Sequence, residues 1–203
     1  MTGAPPQHGK SDIVSRYLPA YFFGKYPNMR VGALSYSSDL AGDMNTDVQR
    51  IMMSAEYRAL FPKSWLGNKP ENGIAVKRNS EFGIANHKGS YVCAGVGGPL
   101  TGKKVDLGII DDPIKNAKEA LSPTVKKSIW NWYVSTFKTR LSKNSGEIIM
   151  ATRWATDDLS GQLKKKKHLK QKCSHSLPLM SKEKHWYLNF IHLISSSKTK
   201  DPW

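Results

Sequence analysis

The chain has 203 residues, 39% of them hydrophobic, and carries a formal net charge of +15. Its length and apolar content suffice for one globular domain with a core, and its charge favours a polyanionic partner such as DNA, RNA or an anionic membrane surface. Two cysteines are too few for a disulfide framework, and no signal peptide or membrane-length apolar run is visible, which favours the cytoplasm.

The first predicted element is a helix that begins in a phosphate-binding sequence. Gly9-Lys10-Ser11 precedes a stretch compatible with a helix to about Arg16, which Pro19 should bend or restart. In a P-loop, backbone N–H groups and the lysine cradle phosphates while the serine hydroxyl ligates Mg²⁺. The full pattern has glycine where this chain has Ala4, so the P-loop sequence is incomplete. The core face of the helix is predicted to consist of Tyr17, Leu18, Tyr21 and Phe22.

A buried strand and an amphipathic helix follow. Residues 30–35 are predicted to form the strand, and Ser37 or Ser38 is predicted to cap a helix whose apolar residues recur at helical spacing, namely Leu40, Met44, Val48 and Ile51. Residues 56–73 favour a short helix followed by a loop, and short β-type stretches alternate with polar turns from 74 to 96. The glycine-rich segment 95–102 is either a flexible connector or a loop that approaches the nucleotide or the DNA.

An apolar strand that ends in two carboxylates is the second part of the candidate site. Residues 105–110 lead into Asp111, which we assign to Mg²⁺ together with Ser11. Asp112 is the candidate to order the attacking water, and Glu119 is the reserve candidate for that general base. For the two aspartates taken alone, a solvated turn at the end of a strand is the alternative interpretation.

The last regular elements are an amphipathic helix and a further strand. Ser122-Pro123 is a helix start, and apolar residues then recur at spacings of three and four, as Ile129, Trp132, Tyr133, Phe137 and Leu141. Gly146 is predicted to break the chain before a strand over residues 147–152. Thr152 ends that strand, a position where a β-branched residue is also common for structural reasons alone.

Together these elements predict an α/β fold, a P-loop NTPase domain with a mostly parallel sheet flanked by helices. ATP and Mg²⁺ are the predicted ligands, and the predicted phosphate contacts are His8, Gly9, Lys10 and Ser11. In such sheets a buried strand leads directly into the P-loop, and only residues 1–4 precede it here. We therefore expect the domain to lack that strand.

Six separated sequence blocks, in order, resemble the ATPase half of the large terminase subunit of tailed bacteriophages. The resemblance extends from residue 4 to about residue 163. It implies an ATP-driven motor that threads viral DNA into a procapsid in the cytoplasm of the bacterial host. The blocks are Pro5-Pro6-Gln7-His8-Gly9-Lys10-Ser11, Leu18-Pro19-Ala20, Leu34-Ser35-Tyr36-Ser37-Ser38-Asp39-Leu40-Ala41, Gly97-Gly98-Pro99-Leu100-Thr101-Gly102, Ile110-Asp111-Asp112-Pro113 and Thr152-Arg153-Trp154-Ala155-Thr156-Asp157-Asp158-Leu159-Ser160-Gly161.

The resemblance also implies partners and roles for particular residues. The partners are double-stranded DNA, a small terminase subunit, a portal protein and like subunits in a ring, without a membrane. Thr152 is implied to sense the γ-phosphate and to couple hydrolysis to DNA movement. Asp112 stands where this class often has glutamate, and Gln7 stands where many relatives have arginine. Arg153 or Arg140, on its own or a neighbouring subunit, is then left as a weak substitute to stabilise the transition-state charge.

The two ends of the chain determine the expected domain organisation. Residues 1–163 are expected to form the terminase-like ATPase domain, incomplete at its N-terminus. Ten of the 31 Lys and Arg residues, but two of the 16 acidic residues, lie within 164–203, where the resemblance stops. That segment is either a solvated, disordered basic tail or a frameshifted sequence. The family's nuclease domain has no counterpart in the sequence.

Two functions remain open from the sequence. One is the ATPase domain of a phage DNA-packaging motor, and the other is an inactive prophage remnant that acts at most as a basic nucleic-acid-binding protein. The expected loss of a central strand, with Gln7 and Asp112 at key positions, predicts that the chain alone hydrolyses ATP barely above background. Its DNA binding should persist and fall with salt, because distributed lysines carry it.

Overall fold

A five-stranded sheet forms the centre of the protein in the computed structural model, which describes residues 9–66, 80–98, 100 and 102–170, with 166–170 by backbone only. The strands are β1 (Arg30–Ser35), β2 (Glu81–Gly83), β3 (Ser90–Gly95), β4 (Val105–Asp111) and β5 (Leu141–Met150). They lie in the order β2-β3-β1-β4-β5, with β2 antiparallel to β3 and the other pairs parallel. The predicted α/β class is therefore confirmed. The predicted lack of a strand before the P-loop concerns residues 1–8, outside the described residues.

Helices connect the strands and cover both faces of the sheet. A π-helical segment, Asp12–Tyr17, leads directly into α1, and a second one, Tyr133–Phe137, joins α5 to α6. Ser37 caps α2 by accepting a hydrogen bond from the Leu40 N–H over 3.2 Å, which decides between the two predicted caps. The α-helices are α1 (Leu18–Lys25), α2 (Ser38–Met53), α3 (Ala55–Leu60), α4 (Ala117–Leu121), α5 (Pro123–Trp132), α6 (Lys138–Arg140) and α7 (Leu159–Lys170).

Each face of the sheet carries its own hydrophobic core, because successive strand residues point to opposite faces. Helices α1 and α2 pack on the face that carries Val31, Ala33 and Ile109. Helix α5 and the second π-helical segment pack on the face that carries Leu34 and Ile110. All five side chains are 0% exposed, and full burial of each large aliphatic side chain is worth about 1.5–3 kcal/mol. The two cores fix the sheet between its helical layers.

The core face of the first helix differs from its prediction. Tyr17, Leu18, Tyr21 and Phe22 are half-buried, whereas the fully buried side chains of α1 are those of Ala20 and Phe23, together with Pro19. The π-helical segment explains the shift. Its hydrogen bonds span five residues instead of four, so the inward-facing positions no longer follow the α-helical spacing.

Strand β5 begins earlier than predicted, contains Gly146 and ends at Met150, two residues before the predicted end at Thr152. Leu141, predicted to lie on a helix, is the first residue of the strand, and it pairs with Val105. The next aligned pair is Leu107 with Gly146, so that residues 142–145 stand opposite the single residue Asp106. The predicted break at Gly146 was therefore wrong, because the irregularity is a bulge within a continuing strand.

Tertiary contacts divide the chain into Met1–Lys164 and Lys165–Trp203. Of the second part, the structure describes residues 165–170, which form the end of α7. The expected character of residues 171–203 lies outside the described residues and stays a prediction. Within the described part of the chain, no helix is long and apolar enough to cross a bilayer.

Candidate nucleotide site

Three parallel strands and the first helix meet at one edge of the sheet. β1, β4 and β5 end there at Ser35, Asp111 and Met150. The first helix begins at the same edge, since the Ser15 hydroxyl near its start reaches Asp111. Open α/β sheets bind their ligands outside the carboxyl ends of the strands, so this edge is the candidate site.

Asp111 is buried between the end of β4 and the first helix. It is 2% exposed, and its Oδ2 accepts a hydrogen bond of 2.7 Å from Oγ of Ser15. The Ser11 hydroxyl also hydrogen bonds to this carboxylate. Because Ser11 and Ser15 are four residues apart, one face of the helix presents both hydroxyls. The structure thus brings together Ser11 and Asp111, the two residues predicted to hold Mg²⁺.

Opposing influences act on the charge of Asp111. Burial raises the pKa of its carboxyl group, and the neighbouring charge of Asp112 acts in the same direction. Hydrogen bonds from Ser15 and Ser11 and the positive charge of Arg16 oppose that rise in pKa. A cation beside the carboxylate would favour its charged form further.

The described part of the P-loop has the geometry of a helix start. Gly9 has a φ of +67°, a left-handed conformation that side-chain-bearing residues rarely adopt. Its carbonyl accepts a 3.0 Å hydrogen bond from the Ile13 N–H, and the half-buried Lys10 lies in the first turn. The free N–H groups of such a turn favour an anion. His8 lies outside the described residues.

Asp112 connects the ends of β1, β4 and β5. Its N–H donates to the Met150 carbonyl over 3.0 Å, and its own carbonyl accepts from the Tyr36 N–H over 3.1 Å. Its Oδ1 accepts a 2.7 Å hydrogen bond from the backbone N–H of Thr152. The backbone of Asp112 has a φ of +44°, which is uncommon for a residue other than glycine. The candidate base and the candidate coupling residue are therefore in direct contact.

A small cavity lies between the end of β4 and the segment after β5. Its volume is about 10 Å³, which is the space that one water molecule needs. Its lining includes Asp112, Thr152, Asp158 and Ser160. The edge of the sheet thus has room for one small polar molecule beside the candidate base.

Arg153 and Glu119 make structural contacts. The Arg153 Nε donates to Oδ2 of the buried Asp158 over 2.8 Å. Oε2 of Glu119 accepts from the Lys115 N–H over 3.1 Å, and the Glu119 N–H donates to Oδ1 of Asn116, the N-cap of α4. For Arg140, the Nε is buried and has no hydrogen-bond partner among the described residues.

The glycine-rich loop leaves the sheet at the same edge. The Val96 N–H donates to the Ser35 carbonyl over 2.7 Å, which attaches the start of the loop to the end of β1. A Cβ atom on Gly95 would lie 3.0 Å from the backbone nitrogen of Ser38, so α2 approaches the loop closely there. Gly97 has a φ of +87° with no atom within 4 Å of a built Cβ. The interpretation that this loop approaches the nucleotide or the DNA stays a prediction.

Sequence reasoning missed Ser15. The hydroxyl lies four residues after Ser11 and is 0% exposed, although serine is usually a surface residue. That spacing from the P-loop serine was the available signal.

Comparisons with known proteins agree with this architecture. The family of N-terminal parts of T4likevirus-type terminase large subunits matches residues 1–185. Among solved structures, the HK97 bacteriophage large terminase has a TM-score of 0.52 and 14% identity, over 84% of this chain and 32% of that chain. A Thermus phage large terminase ATPase domain has a TM-score of 0.43 and 15% identity, over 72% of this chain and 56% of that domain. No curated protein matches.

These comparisons differ in what they establish. The chain covers 32% of the HK97 large terminase, and at 14% identity the likeness concerns the fold alone. The family match, in contrast, extends over most of the chain, including both parts of the candidate site. The chain therefore belongs to the family of T4likevirus-type terminase large subunits and corresponds to their N-terminal region.

Proposed function

We propose that this domain binds ATP with Mg²⁺ at the carboxyl edge of its sheet and hydrolyses it to drive a phage DNA-packaging motor. The observation that carries the proposal is the convergence of the Ser11 and Ser15 hydroxyls on the buried carboxylate of Asp111. The helix that supplies both hydroxyls begins directly after Gly9, whose backbone is in the left-handed conformation. The N-terminus of a helix attracts a phosphate group, and a carboxylate beside it can hold a metal ion that binds the same phosphate.

The oxygen donors at this edge fit Mg²⁺. Ser11 would contribute its hydroxyl and Asp111 its carboxylate, and both are the hard oxygen ligands that Mg²⁺ prefers. The described residues contain no group of three or more His, Cys, Asp or Glu side chains placed to hold a metal ion. None is required, because phosphates and waters usually complete the Mg²⁺ shell in such sites. Bound Mg²⁺ neutralises charge on the β- and γ-phosphate oxygens.

The remaining roles belong to the chain's own groups. Lys10 neutralises the β- and γ-phosphates, and backbone N–H groups of residues 8–11 orient the phosphate oxygens. Asp112 orders the attacking water and accepts its proton, while its Oδ1 stays bonded to the Thr152 N–H. Thr152 passes the state of the nucleotide to the segment that follows β5.

Two further groups act only after they release their present partners. Arg153 stabilises charge on the transferred phosphoryl group, on its own or a neighbouring subunit, once its guanidinium leaves Asp158. Glu119 is the reserve base, and it must first leave the Lys115 N–H. Arg140 precedes β5 at the opposite edge of the sheet, so it could supply positive charge only to a neighbouring subunit. Asp112 and Thr152 need no such release, so they are the first residues to test.

The proposal includes the surroundings in which the motor works. Its partners are double-stranded DNA, a small terminase subunit, a portal protein and further copies of the chain in a ring on the procapsid, in the cytoplasm of the host. Membership of the large terminase family supports these partners. The net charge of +15 supports a polyanionic partner, because it would attract DNA and make the binding depend on salt.

Calorimetric titration of the 203-residue chain with MgATP tests the proposal. Lys10→Ala and Asp111→Asn should each abolish Mg²⁺-dependent binding, because one removes charge from the phosphates and the other a ligand from the metal. Lys25→Ala is the matched control, since Lys25 is an exposed lysine at the other end of the same helical path.

Phosphate release with and without double-stranded DNA then tests the motor function. Turnover stimulated by DNA supports the ATPase, whereas DNA binding without nucleotide binding would leave the nucleic-acid-binding remnant as the better description. Equal MgATP affinity in the wild type and in both site variants would show that the nucleotide site lies elsewhere.

A further inference from the structure

One buried hydroxyl at the site has none of the roles assigned so far. Ser15 is 0% exposed, and its Oγ donates a 2.7 Å hydrogen bond to Oδ2 of Asp111. The P-loop pattern ends at the serine that corresponds to Ser11 and assigns nothing four residues later. Ser15 and Asp111 are 96 residues apart in the chain, so the contact joins the first helix to the end of β4.

We propose that Ser15 is a positioning residue that fixes the orientation of the Asp111 carboxylate for Mg²⁺. The inference rests on the proposed function, in which Asp111 holds the metal. The terminal torsion of an aspartate side chain is broad, so the carboxylate needs a partner if one oxygen is to face a ligand. Ser15 supplies that partner by holding Oδ2. Hydrogen-bonded partners of metal-binding carboxylates commonly tune metal affinity in this way.

The backbone around Ser15 departs from regular α-helical geometry. Ser15 lies within the π-helical segment Asp12–Tyr17, and the Leu18 N–H bonds to the Ile13 carbonyl five residues earlier. Short π-helical segments are rare and often occur at functional sites. Ser11 and Ser15 are four residues apart, so a single helix brings both hydroxyls to one carboxylate.

Ser35 provides a matched control for Ser15. It is also 0% exposed, and it is the register partner of Asp111 in the pairing of β1 with β4. Its Oγ has no hydrogen-bond partner within the described part of the chain. A change of Ser35 to alanine therefore removes the same atom from the same neighbourhood without removing a contact to Asp111.

The experiment measures two dissociation constants of ATP by calorimetry, one with saturating MgCl₂ and one with EDTA. It uses the full chain as wild type, Ser15→Ala and Ser35→Ala, at a temperature at which all three are folded by circular dichroism. The ratio of the two constants reports how much Mg²⁺ strengthens binding. Ser15→Ala should reduce that ratio about 10-fold or more, with the constant in EDTA nearly unchanged. Ser35→Ala should leave the ratio at its wild-type value.

The outcomes separate this inference from the proposed function. Suppose that Mg²⁺ strengthens ATP binding to the wild type and that Ser15→Ala shows the same ratio of dissociation constants. The positioning role is then wrong, whereas the proposed nucleotide site is supported. An equal reduction of the ratio in Ser15→Ala and Ser35→Ala would also overturn the role, because any buried hydroxyl would then suffice. If the wild type itself shows no Mg²⁺-dependent binding, the proposed function fails, and this inference fails with it.

Discussion

The backbone N–H of Thr152 donates a 2.7 Å hydrogen bond to Oδ1 of Asp112, so the segment after β5 is attached to the side chain that follows β4. The backbone of Asp112 is also paired on both sides, with Met150 and with Tyr36. The carboxylate is thus part of the structure as well as the proposed base. A substitution of Asp112 must therefore separate its contribution to stability from its contribution to turnover.

Asp112→Asn should retain the fold and MgATP binding but lose turnover. Asparagine keeps an Oδ1 acceptor for the Thr152 N–H and tolerates a positive φ, so the unfolding temperature should change little. It cannot accept a proton from water, so phosphate release above the uncatalysed background should be lost. Steady-state phosphate release and thermal unfolding measure the two effects.

Asp112→Ala is the companion to that variant. It removes the charged acceptor and places alanine at a φ of +44°, so we expect a loss of unfolding free energy of about 1.5–3 kcal/mol. Wild-type turnover by Asp112→Asn would exclude Asp112 as the base and leave Glu119 as the candidate to test next.

Acid should weaken the opposite edge of the sheet through Asp106. Burial alone would raise the pKa of this carboxyl group, but hydrogen bonds from Arg30 and Ser142 and the charge of Arg30 lower it to about 2. The unfolded chain has a pKa near 3.9 at this residue, so the folded state binds the proton less readily. The resulting stabilisation is present above pH of about 4 and is lost as the pH falls toward 2, and it is on the order of 1–2 kcal/mol.

Urea unfolding at several pH values between about 6 and 2.5 measures that contribution. Asp106→Asn should be less stable than the wild type at neutral pH, and the difference between them should shrink as the pH falls. Ser142→Ala removes one 2.7 Å hydrogen bond to Asp106 and should show a smaller effect of the same sign. A constant difference between wild type and Asp106→Asn at all pH values would contradict the lowered pKa.

Gly108→Ala should destabilise the domain because its Cβ has no space. The added atom would lie 2.5 Å from Cζ of Phe137, a ring that is itself 0% exposed. Overpacking of this kind costs about 1–3 kcal/mol. Gly146→Ala is the matched control in the adjacent strand, where the nearest atom, on Leu107, is 3.6 Å away. Chemical denaturation should show a clear loss for Gly108→Ala and a change near zero for Gly146→Ala.

Arg153→Ala should lower stability by leaving Asp158 with fewer partners. Asp158 is 3% exposed, and apart from Arg153 it accepts a 2.8 Å hydrogen bond from the Gly161 N–H at the start of α7. Loss of the charged donor should cost about 1–3 kcal/mol in unfolding free energy. Asp157→Asn alters the neighbouring exposed carboxylate, which pairs with Lys126, and should cost less. Equal losses in the two variants would argue against a structural role for the buried pair.

The sequence was sufficient to predict the residues that meet at the carboxyl edge. Ser11 follows a P-loop-like glycine and Asp111 ends an apolar strand, and parallel strands bring such ends together whatever the intervening loops do. Local rules also predicted the cap of α2, since a serine before an amphipathic repeat is a strong helix start. These signals depend on short-range chemistry, and each is visible in a few neighbouring residues.

The parts that were not predicted depend on departures from regular geometry. A π-helical segment moves the buried face of the first helix to Ala20 and Phe23, and ordinary periodicity contains no sign of it. Strand β5 continues through Gly146 because a bulge absorbs four residues opposite Asp106. Both features are accompanied by long-range contacts, to Asp111 in the first case and to Arg30 and Asp106 in the second. A local pattern cannot show such contacts.

The cluster of Arg30, Asp106 and Ser142 closes the sheet at the edge opposite the candidate site. Arg30 holds both oxygens of Asp106, and Ser142 joins them from β5, so side chains connect the amino ends of β1, β4 and β5. Asp112 connects the other ends of the same strands through its backbone and its side chain. The three strands that carry the candidate site are therefore held at both ends, each time by an aspartate of the segment 106–112.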